Sequence, residues 1–265
     1  MKQKQNLSHV VLTNLAYIES DPMLDIRLER YVDIVVPQLR GQTNTDFDIA
    51  LRVNKPTLDK IRHYLDTHGC KDIITFTEDH ILFLGTYYDK SEFYNYGGES
   101  INKYSTWENI HGLEKYDIQT SYDSDDYVSK DYIQTVKDIA MGHENKEPLH
   151  IHFQPIWLHE ATKTTGRMEF RYNKYCGSAF YSIYCPQKDK EYIFCRVRSH
   201  ANILNMFKYT ILVPEGKCWI GVNENNVRTR WVPPKTEDET KKVETVKEET
   251  NVFDIMPPMG PKRRC

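Results

Sequence analysis

Between residues 8 and 141 the chain alternates strand-like with helix-like segments, and that alternation restricts its possible folds more than any other feature. "SHVVLTNLAY" (8–17) is β-branched and apolar, the composition of a buried strand. In "LDIRLERYVDIVVPQLRGQT" (24–43) the apolar residues Leu24, Leu28, Tyr31, Ile34, Val35 and Leu39 recur mostly three or four apart, which predicts an amphipathic helix. Pro37 is expected to kink that helix or end its regular part, since its ring meets the preceding turn and it lacks an amide proton. "DFDIALRVN" (46–54) predicts a second strand, and Pro56 opens a short helix through "TLDKIRHYLDTHG" that Gly69 closes. "KDIITF" (71–76) predicts a third strand and "EDHILFLGTYYDK" (78–90) a return to helix. "YDIQTSY" (116–122) reads as a further strand, and "VSKDYIQTVKDIAM" (128–141) as a helix with Ser129 as its N-cap. The alternation predicts an α/β fold with a mostly parallel sheet flanked by helices on both faces. In such sheets ligands bind beyond the carboxyl ends of the strands.

One of those ends is acidic. In "YDIQTSYDSDDYVSKDYI" (116–133) an apolar-alternating run stops at Asp123, Asp125 and Asp126. Two carboxylates ~5 Å apart repel by roughly 3 kcal/mol at an effective dielectric near 20. The cluster must therefore be solvated, partly protonated or neutralised by a cation. A solvated turn is the simplest answer. A calcium loop of the EF-hand type fails, because the sixth position from Asp123 is Val128 rather than Gly and the twelfth is Gln134 rather than Glu. Phosphate-cradling loops fail as well, for lack of GxxxxGK[ST] or GxGxxG. What remains is Asp-x-Asp at the end of a buried strand. Hard oxygen ligands there suit Mg²⁺ or Mn²⁺, which can also hold two oxygens of a diphosphate and stabilise its departure.

After residue 145 the pattern changes to short strand-like pieces, "EPLHIHFQPIWLHE", "GRMEFRYNKY", "SAFYSIYCP", "EYIFCRVRS", "KYTILVP" and "KCWIGVN". They predict a mixed or antiparallel C-terminal extension of the sheet. Residues 90–115, aromatic-rich with Gly97 and Gly98, read as a long loop over the site or a variable insertion. From Pro233 the chain is polar, with six acids against four lysines in "PPKTEDETKKVETVKEETN", and is expected to be a flexible tail (233–265). The net charge of −3, with no basic block except "PKRR", argues against a large nucleic-acid surface. No apolar run reaches the ~20 residues of a membrane span. The first twenty residues lack the apolar segment of a signal peptide. Six cysteines without CxxC spacing read as buried thiols in a reducing compartment, so a cytoplasmic protein is expected.

The ordered set Arg27-Leu28, Pro37, Gln42-Thr43, Phe47 and Asp123-Ser124-Asp125-Asp126 resembles the pattern of a rhamnosyltransferase family of the GT-A fold, whose hallmark is a DxD motif. The resemblance covers about residues 8 to 142, with a looser echo to about 230. It implies a GT-A-like, Rossmann-like domain over 1–232, with a nucleotide-sugar half (8–142) and an acceptor half (143–232). The activity implied is metal-dependent transfer of a hexose or deoxyhexose from a nucleoside-diphosphate sugar to a hydroxyl acceptor, a glycan above all. Asp123 and Asp125 would bind Mn²⁺ or Mg²⁺, with His200 of "VRSHANI" as a further metal ligand; a structural histidine is the competing reading. Asp126 would orient the metal or contact the donor sugar, and Asn14 and Arg27 would face the nucleotide, against readings as a loop polar residue and a surface ion pair. Trp219, Asn223 and Asn226 of "CWIGVNENNVRTRW" would face the cleft on the acceptor side, with a core position for Trp219 equally open. Glu144, Glu160 and Glu169 are carboxylates available as a base, and the sequence does not rank them.

Three other readings compete. His150, His152 and the His159-Glu160 pair in "HIHFQPIWLHE" suggest a different metal enzyme, though a polar strand face explains the histidines more simply. A non-catalytic interaction protein on a GT-A scaffold would use the tail to recruit partners. An enzyme acting on a hydroxylated nucleic-acid base would need a positive face assembled from scattered Lys and Arg.

Overall fold

The structure is a computed structural model that describes residues 7–15, 24–53, 55–74, 81–84, 107–108, 113, 115–124, 126–145, 147–159, 164–167, 180–186, 207–214 and 216–222. Strands β1 (His9–Asn14), β2 (Asp48–Val53), β3 (Ile81–Leu84), β4 (Trp107–Glu108), β5 (Ile118–Asp123), β7 (Leu149–Phe153), β10 (Tyr181–Tyr184) and β11 (Tyr209–Val213) form one sheet. Its order is β11-β7-β10-β5-β1-β2-β3-β4. The run β5-β1-β2-β3 is parallel. Beyond it β10 runs antiparallel to both β5 and β7, β11 is parallel to β7, and β4 is antiparallel to β3. A second sheet, β6-β12-β8-β9, is built from β6 (Tyr127–Val128), β8 (Ile156–His159), β9 (Thr164–Arg167) and β12 (Cys218–Val222). The expected mostly parallel sheet with a mixed C-terminal extension is what forms.

β1 is the central strand because it is apolar on both sides: Val10, Val11 and Leu12 are all buried. The expected first helix is present, and all six residues of its apolar stripe are buried. Its regular part ends early. α1 (Leu24–Arg30) passes into a π-helical turn, Tyr31–Val35, before α2 (Val36–Arg40) resumes. Pro37 stands just after that turn, where it has no amide to give and its ring would crowd a regular preceding turn; the wider π turn relieves both demands. α3 (Leu58–Thr67) follows a 3₁₀ turn at Lys55–Thr57. It closes as expected on Gly69, at φ +71°, with the Cys70 amide bonded to the Leu65 carbonyl at 3.0 Å.

Three expectations are corrected. Residues 71–73 form a turn rather than the start of a strand, because the Asp72 carboxylate is held by the Arg40 guanidinium (Nε to Oδ2, 3.0 Å) and the Ile73 and Ile74 amides bond back to the Cys70 carbonyl. The third strand is instead Ile81–Leu84, inside the segment expected to be helical; a four-residue apolar run fits either period, and pairing with β2 decides it. Ser129 does not cap the following helix, α4 (Tyr132–Gly142): its hydroxyl bonds the Asp131 carboxylate at 2.6 Å, and Tyr127–Val128 are strand.

All four helices share one core cluster with Val11, Leu51, Tyr122 and Phe153, which point to one face of the sheet. Val10, Leu12 and Ile183 are buried on the opposite face and lie outside that cluster. Among the described residues, then, helices cover one face, not the two expected. Cys70, Cys185 and Cys218 are buried free thiols, as expected. Most of 90–115, the piece "EYIFCRVRS" and the whole tail 233–265 lie outside the described residues.

Candidate active site at the ends of β1 and β5

β1 and β5 lie side by side and parallel, so their carboxyl ends share one edge of the sheet. Their last residues, Asn14 and Asp123, are register partners. The strand order reverses between them, since β1 leads outward to β2 and β5 leads the other way to β7, beyond β10. Open α/β sheets take ligands beyond the carboxyl ends at such a reversal. Asp123 is half-buried there, while Ser124 and Asp126 are buried, the latter only 4% exposed.

From Asp126 the chain enters β6, which pairs antiparallel with β12 so that Tyr127 stands opposite Trp219 and Val128 opposite Cys218. The Ser129 amide then donates to the Lys217 carbonyl at 2.9 Å. The Lys217 ammonium pairs with the Asp131 carboxylate. Burial works to raise the Asp131 carboxyl, but the hydrogen bonds from Lys217 and Ser129 outweigh it and hold it below its ordinary value.

Helix α2 grips the same segment from the other side. Gln38 on α2 and Gln42, two residues past its end, are both buried. Gln38 accepts from the Val128 amide at 2.6 Å and donates to the Asp126 carbonyl at 3.2 Å and the Ile34 carbonyl at 3.0 Å. Gln42 accepts from the Ile133 amide at 3.1 Å and donates to the Ser129 carbonyl at 2.9 Å. The Thr43 amide adds a bond to the Lys130 carbonyl at 2.7 Å. The Tyr122 hydroxyl donates to the Asp126 carbonyl at 3.1 Å, so that one carbonyl is fixed from two directions. Burial, and next the negative charge of Asp126, push the Tyr122 phenol well above its usual value. The same two causes raise the Cys218 thiol. Both groups stay protonated at neutral pH.

The expected site residues divide accordingly. Sheet register sets the backbone of Asn14 beside Asp123 and that of Trp219 opposite Tyr127, the residue after Asp126. Trp219 is buried, only 1% exposed, and its indole N–H has no hydrogen-bond partner among the described residues. Arg27 is half-buried on α1 beside Leu28. Asp125, His200, Asn223, Asn226, Glu160 and Glu169 lie outside the described residues, and Glu144 is exposed just past α4. The sequence reading did not single out Gln38, and it took Gln42 only as part of a family pattern. The available signal was two glutamines four apart inside an apolar helical stripe, which demands buried partners.

The alternating histidines lie on β7, separated from β5 by β10 alone. His150 and His152 are buried on one face of β7 with ring centroids 5.7 Å apart, and His150 stacks on Phe207 at 5.5 Å. Among the described residues no group of three His, Cys, Asp or Glu side chains could hold a metal ion, at the histidines or elsewhere.

Sequence comparison decides the family. The family model described as "putative rhamnosyl transferase" matches residues 4–235, most of the chain. The chain belongs to that family. Among curated proteins none matches it. Membership points to a glycosyltransferase, with a nucleotide-sugar donor and a glycan acceptor implied. No helix among the described residues is long and apolar enough to cross a membrane. For this rhamnosyl transferase family member, the acidic segment at the reversal of the strand order is the candidate active site. Carboxylate oxygens such as that of Asp123 are hard donors of the kind Mg²⁺ and Mn²⁺ take, and among the described residues they are not joined into a group of three His, Cys, Asp or Glu.

Proposed function

We propose that the protein is a GT-A-like, metal-dependent glycosyltransferase that moves a hexose or deoxyhexose, rhamnose in the first instance, from a nucleoside-diphosphate sugar to a hydroxyl of a glycan. The observation that carries the reading is the register of Asn14 with Asp123 where the strand order reverses, immediately before a buried Asp126. Family membership supports it independently. Asp123 and Asp125 are assigned to an Mn²⁺ or Mg²⁺ ion, with His200 as its further ligand. When bound, that ion supplies positive charge to the diphosphate oxygens.

In the transfer the acceptor oxygen forms a bond to the anomeric carbon, the bond from that carbon to the phosphate oxygen breaks, and the nucleoside diphosphate leaves with the electron pair. The acceptor proton goes to a base or to the departing phosphate. Asp126 is assigned to the donor sugar, Asn14 and Arg27 to the nucleotide, and Asn223 and Asn226 to the acceptor side. Trp219, being buried, supports the wall of the site rather than stacking on a sugar.

The test is turnover. The protein is incubated with UDP-, GDP- and dTDP-sugars and Mn²⁺, and release of the nucleoside diphosphate is followed for the wild type and Asp125→Ala. Metal-dependent release from one donor class, lost in the variant, is expected. Release that persists unchanged in EDTA and in Asp125→Ala would sink the metal-dependent reading.

A further inference from the structure

We infer that Gln38, Gln42 and Tyr122 are positioning residues that fix the acidic segment in its ligand-binding conformation; this rests on the proposed reading of Asp123–Asp126 as a cation–diphosphate site. A cluster of like charges has no intrinsic reason to hold one backbone shape, because mutual repulsion favours spreading the carboxylates into solvent. Here the backbone just after the cluster is held by groups that carry no charge themselves. The Asp126 carbonyl accepts from Gln38 at 3.2 Å and from Tyr122 at 3.1 Å, and the Val128 amide donates to Gln38 at 2.6 Å. Gln42 extends the grip to Ser129 and Ile133, so it spans from the acidic turn to the first turn of α4.

The two glutamines are themselves fixed from behind. Gln38 donates to Ile34 in the π-helical turn, and Gln42 donates to the Gln38 carbonyl at 3.1 Å. The π turn ahead of Pro37 therefore ends in two side chains in register with the acidic loop. The consequence is pre-organisation. The backbone at Asp126 and Val128 is held before any cation arrives, and binding need not order it. Gln38 and Tyr122 hold the backbone next in sequence to Asp125, the assigned ligand, and groups that support metal ligands commonly set metal affinity by about 10- to 100-fold when removed.

The experiment compares wild type with Gln38→Met, Gln42→Met and Tyr122→Phe, each of which removes hydrogen bonding at similar size. Three quantities are read on the full chain: the melting transition, amide hydrogen exchange at Val128 and Ile133, and the Mn²⁺ dissociation constant by electron paramagnetic resonance with UDP, GDP or dTDP present. Expected results are a cooperative melt in all variants, faster exchange at Val128 in Gln38→Met and at Ile133 in Gln42→Met, and Mn²⁺ binding weakened by about 10-fold or more in Gln38→Met. Tyr122→Phe keeps the ring and should weaken Mn²⁺ by a smaller factor without disturbing the fold, so it serves if Gln38→Met fails to fold. Folded variants that bind Mn²⁺ as wild type does would overturn the positioning role and leave the proposed function standing. Wild type that binds no Mn²⁺ with any nucleotide would overturn the reading of the acidic segment, and the positioning role with it.

Discussion

Gln42 ties the start of α4 to the segment that follows α2 through one side chain. Its side chain satisfies the Ile133 amide, one of the first donors of α4, which Ser129 leaves without a side-chain cap. Replacing it with Leu keeps the apolar volume and orphans that buried amide; the Ser129 carbonyl retains the Tyr132 amide as a second donor. A buried donor left unpaired costs about 1–3 kcal/mol. Gln42→Leu is therefore expected to lower the unfolding free energy by that amount in urea titration, and a change within experimental error would mean that water reaches Ile133. The role was not legible from sequence. Pattern shows that a polar residue interrupts an apolar stripe, but its partners lie some ninety positions away, and no local rule pairs them. That a buried strand ends at Asp123 was legible, because the alternating run before it is a local signal.

At the scale of elements, β1, β5 and β10 are joined by more than ladder bonds. The His9 ring nitrogen Nε2 meets the Thr120 hydroxyl at 2.7 Å, and Thr120 meets Ser182 at 2.6 Å, a polar line across three central strands inside an apolar core. Thr120→Val removes the middle of that line at nearly constant shape. It should destabilise the protein by at least about 1–3 kcal/mol, because a buried imidazole nitrogen loses its partner. The measurement is the urea midpoint, and a midpoint unmoved or raised would show that the line contributes nothing. Element type was legible wherever the periodic run was long, as in Leu24–Leu39 and Tyr132–Ala140. It failed at 71–73 and 81–84, where short apolar runs satisfy both periods and the choice belongs to pairing with β2 and to Arg40 holding Asp72. The reversal of the strand order, which gives the acidic end its significance, is a property of the sheet and is invisible in any single segment.

Over the whole molecule the buried histidines set a pH response. Burial, with the positive charge of Lys137 as a lesser cause, pushes the His9 imidazole down to about 3. Burial first, then His152, brings His150 to about 3 as well. Burial also lowers His152. The folded protein thus holds these rings neutral, while the unfolded chain protonates them near the ordinary value of about 6.5. Between the two values the unfolded state binds more protons, so stability rises with pH there. The contribution is whole above pH ~6.5 and declines as pH falls toward the folded values, by up to about 1.4 kcal/mol per pH unit for each fully shifted histidine. Urea midpoints measured from neutral to mildly acidic pH should fall steadily, and His9→Gln should flatten the slope. A slope unaltered in that variant would mean that His9 titrates in the fold.

The central claim is that the carboxyl ends of β1 and β5 form a cation-dependent nucleotide site. Its most direct test is calorimetric titration of UDP, GDP and dTDP into the wild-type protein and into Asp123→Ala and Asp125→Ala, with and without Mn²⁺. One nucleotide is expected to bind only when Mn²⁺ is present, and both variants are expected to lose it. Binding that ignores Mn²⁺ and survives both substitutions, or no binding of any nucleotide by the wild type, would contradict it.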